Sequence, residues 1–266
     1  MKTRTLLAIG TLTSMVFAQC ALAEVTIFTD GFELGTVNYW TADGTSPLTI
    51  DNTRSIFPAI GAFSAHANLS LNRMHRNIIA DNGGSEVDGY STLSAWIYDD
   101  TMTRGYVQAL GYTGTGLPNG GTVADGTLAQ LLAIGKYSSV TLPGDVYDPT
   151  KYQGRVGFGA SAGWFNLNAP GAPSRSPGWH QFTIARESND TTIDFYVDGI
   201  LGRTIAGATA QTWDTITMGF GTTSTSNGDT WYDGIVVTVP EPSTLTLSLL
   251  GGLGLAVAAI SRRRKA

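Results

Sequence analysis

From residue 24 to residue 238 the apolar side chains recur at every second position, in short runs broken by Gly, Pro, Asn and Asp. In Leu93–Tyr98, Leu93, Ala95 and Ile97 share one face. In Thr192–Asp198, Ile193, Phe195 and Val197 point one way while Asp194, Tyr196 and Asp198 point the other. Phe182 with Ile184, Ile216 with Met218 and Phe220, and Ile235 with Val237 repeat the alternation. A period of two belongs to strands with one face buried. Asp198-Gly199 between Val197 and Ile200 predicts a two-residue hairpin, because both central positions of such a turn need positive φ. Only Thr127–Ile134 has a spacing that suits a helix of useful length. The pattern predicts an all-β fold, an antiparallel β-sandwich of jelly-roll type, in one domain over residues 24–238.

Composition supports many short strands. The chain has 33 Gly and only 14% charged residues, too little charge for the exposed faces of long helices. All 21 acidic residues fall between Glu24 and Glu241, but only ten of the sixteen basic ones do, so this stretch carries 10 − 21 = −11. A field of that sign repels phosphate backbones and speaks against nucleic-acid partners. Cys20 is the single cysteine. Beyond it no disulfide or thiolate metal site is possible, and stability must come from core burial.

The two ends read as addresses. Lys2 and Arg4, the apolar run Leu6–Ala18 and Ala21-Leu22-Ala23 before Glu24 form a signal peptide over residues 1–23. At the other end come Pro240-Glu241-Pro242, an apolar run from Thr244 to Ile260, and Arg262-Arg263-Arg264-Lys265. The run is just long enough to cross a bilayer as a helix, and the Arg cluster would hold its end in the cytoplasm. Over residues 239–266 this arrangement resembles the PEP-CTERM sorting signal. The resemblance implies processing by an exosortase and a transient inner-membrane intermediate. It further implies export to the cell envelope, outer surface or extracellular matrix of a Gram-negative, exopolysaccharide-making cell.

Two further stretches carry a resemblance. Trp179-His180-Gln181-Phe182-Thr183-Ile184, a turn, and Phe195-Tyr196-Val197-Asp198-Gly199 look like the laminin-G/concanavalin-A-like pattern, which implies fold more than function. Asp30-Gly31-Phe32-Glu33-Leu34-Gly35 and Trp231-Tyr232-Asp233-Gly234-Ile235 are similar to the opening and closing strands of jelly-roll modules. There the resemblance implies a structural Ca²⁺ held by Asp30, Glu33 and Asp233, with Gly234 standing where a second Asp is usual.

Motifs for catalysis fail on context. Ser161 in Gly159–Gly163 matches a nucleophile elbow, but Pro170 and Pro173 break any helix after it, and no Asp or Glu lies between Ser161 and His180. The overlapping dinucleotide pattern fails for the same reason. His66, His75 and His180 lack metal-ligand spacing. Arg73-Met74-His75-Arg76 reads as a solvated loop. Asp194 and Asp198 stand too far apart along a strand for a glycosidase pair. The candidate recognition surface is the Gly/Pro-rich region Gly111–Trp179, where Trp164, Asn166, Asn168, Arg175 and Trp179 offer aromatic faces, amides and a guanidinium. Tyr112, Asp125 and Tyr152 could join them. Sugars stack on such rings and hydrogen-bond to such neighbours. The reading is a non-catalytic, exported surface or extracellular-matrix protein sorted by an exosortase, with glycan binding as the role these residues would allow. Its alternatives are a purely structural surface component and a polysaccharide-degrading enzyme.

Overall fold

The computed structural model describes residues 24–43, 46–56, 61–68, 72–87, 91–100, 104–113, 127–157, 162–186, 191–206, 212–219 and 229–240. The signal peptide, the apolar tail with its expected membrane helix, Glu241, Pro242, Asp125 and Ser161 lie outside these residues. No helix among the described residues is long and apolar enough to cross a membrane.

Among the described residues fifteen strands follow in chain order. They are β1 Glu24–Asp30, β2 Thr41–Ala42, β3 Thr49–Asp51, β4 Ser64–Ala67, β5 Arg73–Asn77, β6 Thr92–Asp99, β7 Gly105–Thr113 and β8 Thr127–Lys136. The remainder are β9 Gln153–Gly157, β10 Gly163–Asn166, β11 Gly178–Ala185, β12 Thr192–Val197, β13 Ile200–Ala206, β14 Thr215–Gly219 and β15 Thr230–Pro240. They form two sheets in the compact unit Glu24–Pro242. One has the order β13-β12-β11-β6-β15-β4-β3, with β1 also on β15, and the other β10-β9-β8-β7-β14-β5-β2. Every pairing is antiparallel.

The alternating positions do what their period requires. Leu93, Ala95, Ile97, Phe182, Ile193, Phe195, Ile216 and Ile235 enter one core between the sheets. Phe165 and Phe195 meet edge to face across it at 5.1 Å. The first and last strands lie side by side, Asp30 opposite Ile235 and Glu24 opposite Pro240. Pro240 is thus the last residue of β15, so Pro240-Glu241-Pro242 begins where that strand ends. Asp198 and Gly199 have φ of +53° and +74°, as the hairpin required.

Three expectations are corrected. Thr127–Ile134 is strand β8, since Leu132 and Ile134 face the core while Leu131 and Ala133 pack on the opposite face. Burial on both sides fills every position with apolar residues and imitates a helix. Gly111–Trp179 is not one recognition loop, because β8, β9 and β10 run through it. Arg73–Arg76 belongs to strand β5 rather than to a loop.

Candidate functional site

A strand sends every second side chain away from the core, and both outward faces here carry aromatic rings. On the eight-stranded sheet, Trp179 lies opposite Tyr98, Trp231 opposite His66, and His66 opposite Thr49. Tyr98 meets Trp179 and Trp231 edge-on at 5.6 and 5.7 Å, and His66 stacks flat on Trp231 at 4.2 Å. The Arg54 guanidinium rests 4.0 Å above Trp231 and 4.4 Å above Tyr98. Trp231 Nε1 donates to Asp51, which draws the row towards β3. Trp96, Tyr98 and Trp179 are half-exposed, whereas Trp231 is buried beneath Arg54 and His66.

On the seven-stranded sheet the outward cluster is Tyr106, Leu110, Tyr112, Leu131, Ala133 and Trp164, with Tyr137 against it. Tyr137 stacks on Trp164 at 4.0 Å, and Tyr106 meets Trp164 at 5.1 Å. Arg104 lies 4.7 Å above Tyr137 and Arg155 5.7 Å above Trp164. Tyr106 stands between Gly135 of β8 and Gly219 of β14. Neither glycine has a side chain, so neighbours one strand further away can lean towards the ring. Burial pushes the Tyr106 hydroxyl up to about 12, the nearby Tyr137 adds to this, and Arg73, Arg155 and Arg104 pull against it.

The expected sugar-binding residues therefore divide. Trp164 and Asn166 belong to the outward face of β10, and Trp179 to the opposite sheet. Asn166 is committed to the chain, donating to the Val146 carbonyl at 2.7 Å and accepting from Asp148 N–H. Asn168 is exposed. Tyr152 is a core residue and Tyr112 is buried. Arg175 grips Asp99 through two hydrogen bonds of 3.0 and 2.9 Å. Trp96, Tyr98, Tyr137 and Arg155 were missed. The alternation in Leu93–Tyr98 would have placed Trp96 and Tyr98 outward.

Asp99 is the centre of a buried charge network. Lys136, fully buried, reaches Asp99 at 3.9 Å and Asp100 at 3.4 Å, and donates to the Tyr98 carbonyl at 2.9 Å. Burial pulls Lys136 down from 10.5 to about 8, although Asp100 and Asp99 oppose the shift. Between these values the unfolded chain holds the proton and the folded chain does not, so stability rises with pH. A shift of this size is worth up to about 3 kcal/mol. We expect the urea midpoint to rise between about pH 8 and 10 and the rise to vanish in Lys136→Met. Above that, Tyr106 and Tyr112, both raised to about 12 by burial, reverse the slope. A midpoint independent of pH in the parent chain would contradict the assignment.

Of the three expected metal ligands, Asp30 and Asp233 stand on the paired strands β1 and β15, and Glu33 follows β1. Burial raises Asp233 to about 6, its two backbone hydrogen bonds oppose this, and the charges of Glu33 and Asp30 add to it. Yet their oxygens already serve the chain. Asp30 accepts from Phe32 N–H and Trp40 Nε1, both at 2.8 Å. Glu33 accepts from Ala62 and Phe63 N–H, and Asp233 from Ile56 and Gly234 N–H. Asp30 thereby holds buried Phe32 at a φ of +60°, a conformation costing about 1–3 kcal/mol in a bulky residue. Among the described residues no group of three or more His, Cys, Asp or Glu is placed to hold a metal ion. Gly234 has a φ of +50° at a bulge in β15, a conformation that favours glycine there.

The histidines are not isolated. His75 meets Asp43 at 2.6 Å, His66 meets Asp229 at 3.0 Å, and His180 meets Asp198 at 2.7 Å. Ser176 Oγ lies 3.2 Å from His180 Nε2, but the Ser176 carbonyl oxygen lies nearer, at 3.0 Å. The other Asp198 oxygen accepts Gln181 N–H, so the constellation braces the hairpin.

Residues 238–265 match the PEP-CTERM protein-sorting motif. The chain carries an exosortase sorting signal. That motif implies export to the cell envelope or surface. No curated relative matches the chain by sequence. Among solved structures, a Bacillus subtilis protein of unknown function with a galectin-like fold is 10% identical, with 83% of this chain and 100% of that one covered and a TM-score of 0.49. Domain 4 of the Geobacillus stearothermophilus arabinanase AbnA, in complex with arabinotriose, is 10% identical, with 82% and 93% covered and a TM-score of 0.46. The receptor-binding domain of a botulinum neurotoxin C/D mosaic serotype is 13% identical, with 85% and 50% covered and a TM-score of 0.42. The chain thus spans half the length of that toxin domain. At this distance the likeness is one of fold.

Proposed function

We propose that this PEP-CTERM protein is a non-catalytic, exosortase-sorted component of the cell surface or extracellular matrix that binds polysaccharide. The observation that carries the reading is the row of rings on the eight-stranded sheet, where Trp96, Tyr98 and Trp179 stand half-exposed beside polar neighbours. Such rings on the side of a sheet that faces away from the core offer flat faces to sugars. Affinity electrophoresis of the full chain in mild detergent against a panel of neutral and acidic polysaccharides tests it. Retardation that Trp179→Ala weakens several-fold supports binding. No retardation by any polymer, with surface retention intact, would leave the purely structural alternative.

Sorting by the tail has its own test. The mature protein should lack residues 1–23 and the apolar run beyond Thr244. Deleting Pro240–Pro242 should leave an unprocessed form in the inner membrane. An intact mass that still includes Arg262–Lys265 would refute processing.

A structural Ca²⁺ belongs to the same proposal. The donors of Asp30, Glu33 and Asp233 have the hard-oxygen chemistry Ca²⁺ prefers. As they stand they are turned to backbone N–H groups, so the ion would have to share each oxygen with its present partner. Bound at a hundred times its dissociation constant, it would add about 2.7 kcal/mol. The expected result is a higher melting temperature in millimolar Ca²⁺ than in chelator, with the difference abolished in Asp233→Ala. Superimposed melts would leave these carboxylates as hydrogen-bonded clasps alone.

A further inference from the structure

The domain between the sorting segments, residues 24–238, holds ten basic and twenty acidic residues and so carries 10 − 20 = −10. Three of those ten, Arg73, Arg104 and Arg155, surround one tyrosine on the outward face of the seven-stranded sheet. They arrive from β5, from the residue before β7, and from β9. Sequence spacing gives no hint of this, since 31 residues separate the first two and 51 the last two. The arrangement has two tiers. Trp164 and Tyr106 form a buried floor. Tyr137, Arg104 and Arg155 stand half-exposed above it, with Tyr137 stacked on Trp164.

The guanidiniums differ in what they already hold. Arg73 donates to Asp43 at 3.0 Å. Arg104 donates to Ser138 Oγ at 2.7 Å. Arg155 has no carboxylate within ion-pair distance among the described residues, and its recorded contact is the Trp164 ring. A cation left on an aromatic face in a strongly acidic domain gives up the Coulomb energy a carboxylate would supply. A guanidinium lying on a ring keeps its N–H edge directed outward, where it can grip a planar carboxylate through two hydrogen bonds.

We propose that this face binds the carboxylate of an acidic sugar, the polysaccharide being a polyuronate, with Arg155 as its anchor and Arg104 and Tyr137 beside it. The inference rests on the glycan-binding reading and adds to it a second surface and a ligand class. A guanidinium supplies the carboxylate contact, the half-exposed edge of Tyr137 borders the sugar, and the acidic remainder of the domain repels polyanions that lack this fit. A nucleic acid offers phosphates rather than planar carboxylates, and the net charge opposes it.

The test uses the full chain in mild detergent and three polymers. They are a soluble polyuronate, the same polymer with its carboxyls reduced to hydroxymethyl groups, and single-stranded DNA. A charge-assisted hydrogen-bonded contact is expected to favour the polyuronate over its reduced form by about tenfold or more at moderate salt. Arg155→Gln should remove most of that preference, while Arg155→Lys, which keeps the charge but not the two-pronged geometry, should retain part of it. Each variant is checked against the parent melting temperature. Equal binding of both polysaccharides, or an unaltered ratio in Arg155→Gln, overturns this inference while glycan binding stands. DNA bound as tightly as the polyuronate also overturns it, marking a general polyanion patch. Binding of no polymer at all overturns both.

Discussion

Asp99→Ala unfolds at a markedly lower urea concentration than the parent chain, with a loss of about 3–5 kcal/mol. Asp99 is fully buried and faces two cations, Arg175 in a two-pronged grip and Lys136 at 3.9 Å. Removing the carboxylate leaves both without a full countercharge in a region water does not reach. Lys136 can shed its proton, being already drawn down to about 8, but Arg175 cannot. The cost therefore falls mostly on Arg175, which ties the segment before β11 to the end of β6. Adding Lys136→Met to Asp99→Ala should recover part of the loss, because it removes one buried charge. The half-exposed pair Arg76 and Asp81 provides the contrast, and Asp81→Ala should cost about 1 kcal/mol or less. A denaturation midpoint for Asp99→Ala within error of the parent would show that the network holds no net stability.

Gly135→Ala is expected to cost about 3 kcal/mol or more, combining backbone strain with overpacking. Its φ is +148°, and a Cβ there would sit 2.4 Å from the Gly105 carbonyl oxygen and 2.8 Å from the Tyr106 Cα. Those atoms are backbone of the neighbouring strand, so the clash cannot be relieved by turning a side chain. β7 and β8 would have to separate where Tyr106, Tyr137 and Trp164 meet. Stability and the outward aromatic cluster should fail together, the second visible as altered near-ultraviolet dichroism of the stacked Tyr137 and Trp164. Gly144→Ala isolates the strain, because φ is +88° there and nothing lies within 4 Å of the added carbon. It should cost only about 1 kcal/mol. Equal effects at the two positions would mean that the close approach of β7 and β8 is not under constraint.

The fold was largely legible in the chain. A period of two in Leu93–Ile97 and Ile193–Val197 fixes which residues enter a core, because a strand's geometry permits no other division of its side chains. The Asp198-Gly199 turn was equally readable, since few residues accept positive φ. Where the rule fails it does so for a physical reason. β8 is buried on both faces, so its alternation disappears and Thr127–Ile134 imitates a helix. The tail was legible because a sorting signal is read as local chemistry, an extended Pro-Glu-Pro followed by an apolar run and a basic end.

The candidate sites were less so. Trp164 and Trp179 are fifteen residues apart and look like one surface in sequence, yet they stand on opposite sheets. Arg175, chosen as a ligand for sugar, is the partner of Asp99, 76 residues away. Nothing beside Arg155 in sequence marks it as part of a site. The sequence determined which residues form strands, which of their faces are apolar and where the chain is sent. Only the tertiary structure decided which strands are neighbours, and therefore which charges are paired, which rings are left half-exposed, and where three arginines meet. Burial and alternation act within a few residues, but strand order depends on packing across the whole sandwich, and local spacing carries no record of it.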